Sequence, residues 1–289
     1  MNKERDGQRI EPGLYLVGTP IGNLEDITLR ALRVLKSVDR IACEDTRQTQ
    51  KLLNHYDIHT QTVSYHEHNE MTRAPELIVH LEDGESVALV TDAGMPAISD
   101  PGYRLITLAI RHRIRVIPIP GASAFLSALV ASGLPGDSFK FSGFLPAKSG
   151  QRRQVLEEFK PSPRTLIFYE APHRIIETLK DIIDVMGPSR HVVVAREVTK
   201  LHEEFLRGRA EDVLHTAEDR GELKGEITLL IGKAEENEAP AEKKENVSQM
   251  VARFMQDASL DEKDALKRAA RELGISKSEA YRELQRTKK

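Results

Sequence analysis

The stretch that most constrains this chain runs from Ala88-Leu89-Val90 into Thr91-Asp92 and then bends through Gly94 and Pro96 to Asp100-Pro101-Gly102. An apolar run bounded by turn residues reads as a strand buried on both faces, as in a parallel sheet covered by helices. Gly94 permits a positive φ and lets a ligand approach the backbone closely. Pro96 stiffens the turn, and Asp100 followed by Pro101 reads as a helix N-cap with proline at the first helical position. The prediction is a strand, a bent loop and a new helix. Ligands of open α/β sheets lie at the carboxyl ends of the strands, so Asp92, at the strand end, reads as a ligand contact.

The 289 residues are enough for two domains and a small appendage. One cysteine, Cys43, excludes an intrachain disulfide framework and fits a reducing compartment. Tryptophan is absent and aromatics make up only 5%, which argues against a stacking-rich single-strand binder. No apolar stretch approaches the roughly 20 residues of a membrane span. The first dozen residues carry no signal-peptide core. The chain reads as a soluble cytoplasmic protein. A formal net charge of −3 hides two basic clusters, one around Arg104, Arg111, Arg113 and Arg115, the other around Lys148, Arg152, Arg153, Lys160 and Arg164. With a basic C-terminus they suggest an anionic partner.

Strand-like and helix-like stretches alternate along most of the chain, as in an α/β protein. Residues 1–12 read as disordered, 13–117 as a first α/β domain, 118–232 as a second, 233–245 as a polar linker and 246–289 as a small helical domain. Leu14 to Val17 is a strand that ends in Gly18-Thr19-Pro20-Ile21-Gly22-Asn23. Asp26 then caps a helix carrying Ile27, Leu29, Leu32 and Leu35. The glycine spacing matches neither a dinucleotide fingerprint nor a P-loop. Arg40 to Cys43 is a strand running into the charged cluster Glu44-Asp45-Thr46-Arg47. His66 and His68 lack a third and fourth ligand at a recognisable spacing, so no metal site is expected. Pro118-Ile119-Pro120-Gly121 marks the domain boundary. Gly121-Ala122-Ser123-Ala124 opens a small-residue helix, whose first amides can meet a ligand or pack tightly.

In the second half, strands are predicted at 139–145, 165–169, 192–195 and 227–231, with a basic loop at 146–153. Two strands again end in polar groups, Glu170 to Arg174 and Arg196 to Lys200. Three C-terminal helices are predicted at 247–257, 260–272 and 277–286. The turn Leu273 to Ser276, with Ala270, Ile275 and Leu284, is similar to a helix-turn-helix. This segment reads either as a nucleic-acid contact through Lys277, Arg282 and Arg286 or as a packing or dimerising cap.

Six stretches occur in one order: residues 18–24, Glu44-Asp45-Thr46-Arg47, His68-Asn69-Glu70, the 91–102 loop, residues 143–148 and residues 168–174. Together they resemble the small-subunit rRNA 2′-O-cytidine methyltransferases of the tetrapyrrole methylase superfamily, over about residues 12–232 and more loosely in the C-terminal helices. Gly18, Met95 and Ala122 depart from that family's pattern. The resemblance implies two α/β domains with S-adenosylmethionine in the cleft between them; from the 91–102 loop and the lack of a ligand set around His66 and His68, it is expected to bind without a metal. Carried over by position, Pro20 borders the cofactor, Asp92, Ala93 and Gly94 hold its methionine or ribose part, and Ile98 packs nearby. Ser123 and Ala124 meet it from the second domain, with Tyr169 and Glu170 near the adenosine.

The implied reaction is methyl transfer to the ribose 2′-hydroxyl of a cytidine in the decoding region of small-subunit (16S) rRNA, on free rRNA or on a ribosomal subunit. Glu44, Asp45, Glu70 and Glu170 are candidates for an assisting base, or else members of ion-pair networks. Arg47, Lys148, Arg152 and Arg153 are expected to contact RNA, as are Arg174, Arg196 and Lys200, chiefly through phosphate or ribose. Homodimers are usual in the family, so a homodimer is expected. Two other functions fit parts of the chain: a methyltransferase of tetrapyrrole-type small molecules, and a DNA-binding regulator acting through the C-terminal helices.

Overall fold

The apolar run of the sequence forms strand β4 (Ser86–Val90), buried along its whole length. In the computed structural model, which describes residues 10–221, 223–234, 247–257, 260–272 and 277–287, its side chains feed two cores. Ala88 and Val90 join one apolar cluster, Val87 and Leu89 the other. This period-two alternation is what a strand covered on both faces requires. β4 sits centrally in a five-stranded sheet with β1 (Gly13–Val17), β2 (Arg40–Cys43), β3 (Gln61–Ser64) and β5 (Val116–Ile119), in the order β3-β2-β4-β1-β5. All its pairings are parallel.

Helices α1 (Leu29–Ser37) and α2 (Thr46–His55) contribute Val34, Leu35 and Leu53 to one face. Helices α3 (Glu70–Glu82) and α4 (Tyr103–Arg111) contribute Leu77, Ile78, Leu81 and Leu105 to the other.

Several local expectations are corrected. The first helix is capped by Thr28, whose hydroxyl accepts from the Ala31 amide, and it buries Ala31, Val34 and Leu35. Asp26 closes a separate 3-10 turn, and Leu29 is exposed. Asp100 caps nothing: α4 begins at Tyr103 behind Gly102, whose φ is 146°. Residues 10–12 are ordered, with Ile10 against the core and the Tyr15 hydroxyl donating to the Glu11 carbonyl at 2.8 Å; residues 1–9 lie outside the described residues. β5 runs on through Pro118 and Ile119, past the boundary expected at 117. Pro118 lacks a ladder donor, and β5 is an edge strand, where that is tolerated.

Residues 124–231 form the second sheet and its helices. The elements are α5 (Ala124–Ser132), β6 (Phe139–Phe144), α6 (Ser149–Phe159), β7 (Thr165–Glu170), α7 (Ile175–Met186), β8 (His191–Arg196), β9 (Glu204–Arg209), α8 (Ala210–Arg220) and β10 (Ile227–Ile231). The strand order is β6-β7-β10-β8-β9. β10 runs antiparallel to both its neighbours, pairing Ile227 with Glu170 and with Arg196. The start of β10 therefore meets the ends of β7 and β8. One face packs on α6, α7 and α8 through Leu156, Leu179, Ile182 and Val213. The other packs on α5 and also receives Ile21 from the first half, only 7% exposed. Burying such a side chain is worth about 1.5–3 kcal/mol, so Ile21 fastens the loop after β1 to the second sheet. The basic loop expected at 146–153 is the start of α6 from Ser149 onward, and strand β9 has no counterpart among the predicted strands.

The chain divides into two compact units, Met1–Ala234 and Glu235–Lys289. In the second, α9 (Val247–Asp257), α10 (Glu262–Glu272) and α11 (Lys277–Thr287) share a core of Val251, Phe254, Leu266, Ala269 and Leu284. The predicted turn at 273–276 and the predicted linker from 235 onward lie outside the described residues. No helix among the described residues is long and apolar enough to cross a membrane.

Candidate active-site cleft

The strand ends of the two sheets converge on one cleft. The loop after β1 and the loop after β4 are stitched together by two backbone hydrogen bonds, Thr19 N to Gly94 O at 2.9 Å and Gly94 N to Thr19 O at 3.1 Å. The buried Thr19 hydroxyl adds a bond to the Thr91 carbonyl at 3.1 Å. Close by, Gly18 and Gly121 pass backbone against backbone. A Cβ on Gly18 would lie 2.7 Å from both the Gly121 Cα and the Met95 Sδ. The first loop reaches the second sheet because neither residue carries a side chain.

The cleft has a volume of about 610 Å³ and is lined from both halves. Ile21, Gly94, Ile98 and Asp100 come from the first half; Ser123, Ala124, Tyr169 and Glu170 come from the second. Backbone strain marks both walls. Ala97 and Ser99 take φ values of 66° and 63°, and Glu197 and Thr199 take 51° and 70°. Non-glycine residues held there cost on the order of 1–3 kcal/mol each, and such strain collects at binding sites. Gly94, with a φ of 86°, adopts the left-handed turn that its position in the sequence suggested.

The carboxylates in this region differ in how they are held. Glu170 is buried at 2% exposure, and its oxygens accept from Arg174 Nη2 at 2.5 Å, the Ala171 amide at 2.7 Å and the Thr178 hydroxyl at 2.8 Å. It organises the end of β7 rather than offering a free carboxylate. Glu197 accepts from Lys200 Nζ and from the Glu226 amide, each at 2.9 Å, and Lys200 also pairs with Glu226 at 3.2 Å.

Asp100 lines the same cleft, and none of its oxygens has a hydrogen-bond partner among the described residues. Burial, and then the charges of Glu44 and Asp92, push its carboxyl up to about 6. Burial and then Asp92 also raise Glu44 above the ordinary range. Across the cleft, burial first and Asp100 second raise the phenol of Tyr169. The Tyr169 ring is fixed by edge-on or tilted contacts with Phe141 at 5.0 Å and Phe144 at 5.6 Å.

Of the residues expected at the cofactor, Ala93, Gly94, Ile98, Ser123, Ala124, Tyr169 and Glu170 line the cleft, whereas Pro20 and Asp92 do not. Asp92 is exposed and accepts from the Asp45 amide at 3.2 Å, tying two strand-end loops together. Of the acids expected to assist, Glu44, Asp45 and Glu70 lie outside the lining. Asp45 caps α2 and is held below the usual carboxylate range, first by the Arg47 side chain. Among the described residues no cluster of His, Cys, Asp and Glu could hold a metal; His66 and His68 instead pack ring against ring at 5.9 Å.

The basic residues are also sorted by burial. Arg152, expected on an RNA-facing loop, has a side chain only 1% exposed and pairs with Asp181 at 2.6 Å. Arg174 is committed to Glu170, and Arg196 to Glu204 at 3.3 Å. Arg47 is exposed beside Asp45, Arg153 is exposed beside Asp184 at 2.9 Å, and Lys148 is exposed. Lys277 and Arg282 are exposed on α11; the Arg286 side chain lies outside the described residues.

Sequence reading missed Asp100, which the following proline disguised as a cap, and Glu226, which stands just before the strand predicted at 227–231. Phe144 and Thr228 read only as members of the strands predicted at 139–145 and 227–231, Phe144 also of the stretch 143–148, with no ligand role.

A profile of the Tetrapyrrole (Corrin/Porphyrin) Methylases matches residues 13–214, most of both sheets. The chain belongs to this family. Within the tetrapyrrole methylases it is similar along nearly its whole length to proteins named ribosomal RNA small subunit methyltransferase I. That of Halalkalibacterium halodurans is 53% identical over 278 residues, covering 95% of each chain. That of Escherichia coli O157:H7 is 43% identical over 285 residues, covering 98% of each. Among solved structures, uroporphyrin-III C-methyltransferase from Thermus thermophilus in complex with S-adenosylhomocysteine superposes with a TM-score of 0.54. It is 21% identical and covers 76% of this chain and 97% of that one. At that identity the likeness concerns the tetrapyrrole methylase fold alone.

Proposed function

We propose that this chain is an S-adenosylmethionine-dependent methyltransferase acting on the ribose 2′-hydroxyl of a cytidine in the decoding region of small-subunit rRNA. The reading rests chiefly on the similarity along nearly the whole chain to proteins named small subunit rRNA methyltransferases. The cleft fits the cofactor: about 610 Å³ is within the range of ligand sites. Small residues, Ala93, Gly94, Ser123 and Ala124, leave backbone groups open to adenine and to the amino-acid end. Ile21 and Ile98 offer apolar walls, and the carboxylates at the strand ends suit a cation. Bound there, the cofactor supplies a methyl group on an electrophilic sulfonium.

The protein's own share is positioning. The stitched loops after β1 and β4 fix one wall, and the aromatic contacts of Tyr169 fix the other. Holding a hydroxyl in line with the methyl group at such a site is worth effective molarities of about 10⁵ M or more. Lys148, Arg47 and Arg153 on the first unit, and Lys277 and Arg282 on the second, are exposed cations suited to RNA phosphates. The protein works in the cytoplasm as a homodimer, an association that would cover the exposed apolar pair Leu126 and Val130 on α5.

The deciding experiment is mass spectrometry of nuclease-digested small-subunit rRNA from a strain lacking the gene. A single ribose methyl on cytidine should disappear and return on complementation. An unchanged ribose-methyl profile refutes the reading, and a methyl lost from a base instead refutes its ribose assignment.

A further inference from the structure

We infer that Phe144 is the stacking platform for the base of the RNA nucleotide that enters the cleft, and that Lys148 holds a phosphate of the same strand. The inference rests on the rRNA-methyltransferase reading above and deepens it by naming where the nucleotide lies. Among the described residues that line the cleft, two are aromatic, Phe144 and Tyr169. Tyr169 is half-buried, whereas Phe144 is 60% exposed. A phenyl ring left open inside a ligand cleft is an apolar contact waiting for a partner.

A break in β6 puts the ring there. β6 pairs Phe139 with Thr165 and Phe141 with Ile167, but Phe144 with Tyr169. Three steps along β6 thus match two along β7, the mark of a β-bulge, which re-aims a side chain. In regular alternation Phe144 would point away from the face of Phe141; with one residue extra, the two share it. Gly143 absorbs the distortion at a φ of 61°, a conformation that favours glycine. The rings then form a row. Phe125 stacks on Phe141 at 4.5 Å, Phe141 meets Tyr169 at 5.0 Å, and Tyr169 meets Phe144 at 5.6 Å. The inner rings hold the outer one in place.

The chain that follows supplies a cation. Leu145, 2% exposed, is buried in the core of the second sheet and pins the segment. Lys148, four residues after Phe144, is exposed at the start of α6. Farther along α6, Arg152 and Arg153 are tied to Asp181 and Asp184. Four residues span at most about 14 Å, a reach that one nucleotide and its flanking phosphate fill. Every base has a π-face, so one ring holds a base by stacking without reading its identity. Its contribution to the reaction is to fix the attached ribose relative to the methyl donor.

The test uses the full chain, small-subunit particles from the deletion strain, and Phe144→Leu, Phe144→Tyr and Lys148→Ala variants. Both positions are exposed, so the variants should melt with the parent. Phe144→Leu keeps apolar bulk and removes the π-face. It should lower kcat/KM for the particles about 5–150-fold, the equivalent of one base–aromatic stack at about 1–3 kcal/mol. Its affinity for S-adenosylhomocysteine, measured by calorimetry, should stay within about threefold. Phe144→Tyr should recover most of the loss. Lys148→Ala should weaken particle binding and lower its salt slope by about 0.7. A parent that makes 2′-O-methylcytidine while Phe144→Leu matches it overturns the stacking role alone. So does a Phe144→Leu variant that loses cofactor affinity as much as kcat/KM, which gives the ring to the cofactor instead. A Lys148→Ala variant with the parent's salt slope overturns the role of Lys148. A parent that methylates no ribose overturns the underlying reading as well.

Discussion

Arg152 and Asp181 form a buried ion pair whose removal should be among the costliest single changes in the molecule. The Arg152 side chain is 1% exposed and that of Asp181 8%. Arg152 Nε donates to Asp181 at 2.6 Å, and its Nη1 reaches the carbonyls of Ala147 at 3.3 Å and Pro146 at 3.5 Å. Asp181 is held further by the Ser149 hydroxyl at 2.9 Å. Arg152→Met fills much of the volume but leaves Asp181 with the Ser149 hydroxyl and the more distant, partly exposed Arg153 guanidinium at 3.8 Å, and uncovers two carbonyls. Breaking such a pair costs about 3–5 kcal/mol. At about 2–4 °C per kcal/mol for a domain of this size, the melting temperature should fall by roughly 6–20 °C. Replacing both partners, Arg152→Met with Asp181→Leu, should recover most of the loss, because an apolar pair of similar volume carries no orphaned charge. Differential scanning fluorimetry and urea unfolding of the two single variants and the double variant measure this. A single variant melting within about 2 °C of the parent, below 1 kcal/mol, would refute the claim that the pair is structural and would make Arg152 available to RNA again.

Further outcomes follow from the cleft and the C-terminal unit. Asp100 has a folded pKa of about 6 against an ordinary 3.8, so its contribution to stability is fully present below about pH 4 and is lost as pH rises through about 6. Asp100→Asn should therefore be more stable than the parent at pH 8, on the order of 2 kcal/mol, with the gap closing by pH 4; a gap independent of pH contradicts this. Gly121→Ala places a Cβ 2.7 Å from the Gly18 Cα, so it should weaken S-adenosylhomocysteine binding at least tenfold, about 1.4 kcal/mol, and unchanged calorimetry would show that the two loops move apart freely. Truncation after Ala234 should lower RNA affinity and flatten its salt dependence by about 0.7 for each single-strand phosphate that the shortened chain no longer neutralises, leaving cofactor affinity intact. A truncated protein with the parent's salt slope makes the last three helices a packing element.

What the sequence determined by itself is the layered α/β architecture and the place of the cleft. The continuous apolar runs at 86–90, 165–170 and 227–231 demanded strands with both faces covered, and the polar groups at their ends marked where a ligand would lie. Local periodicity is enough for this, because side-chain alternation and turn chemistry act over a few residues. What only the tertiary structure decided is which charges are free. Arg152 and Lys148 stand four residues apart in one basic stretch, yet Asp181, contributed by a distant helix, draws Arg152 into the core and leaves Lys148 in solvent. Asp100 carried a local cap signature, but the left-handed turns at Ser99 and Gly102 delay the helix and release its carboxylate into the cleft. Glu170 stood at a strand end like a catalytic acid, and three donors from its own segment and from α7 claim it. A charged group's role depends on its solvation and its partners, and both are set by segments far away in the chain, so no local pattern encodes them.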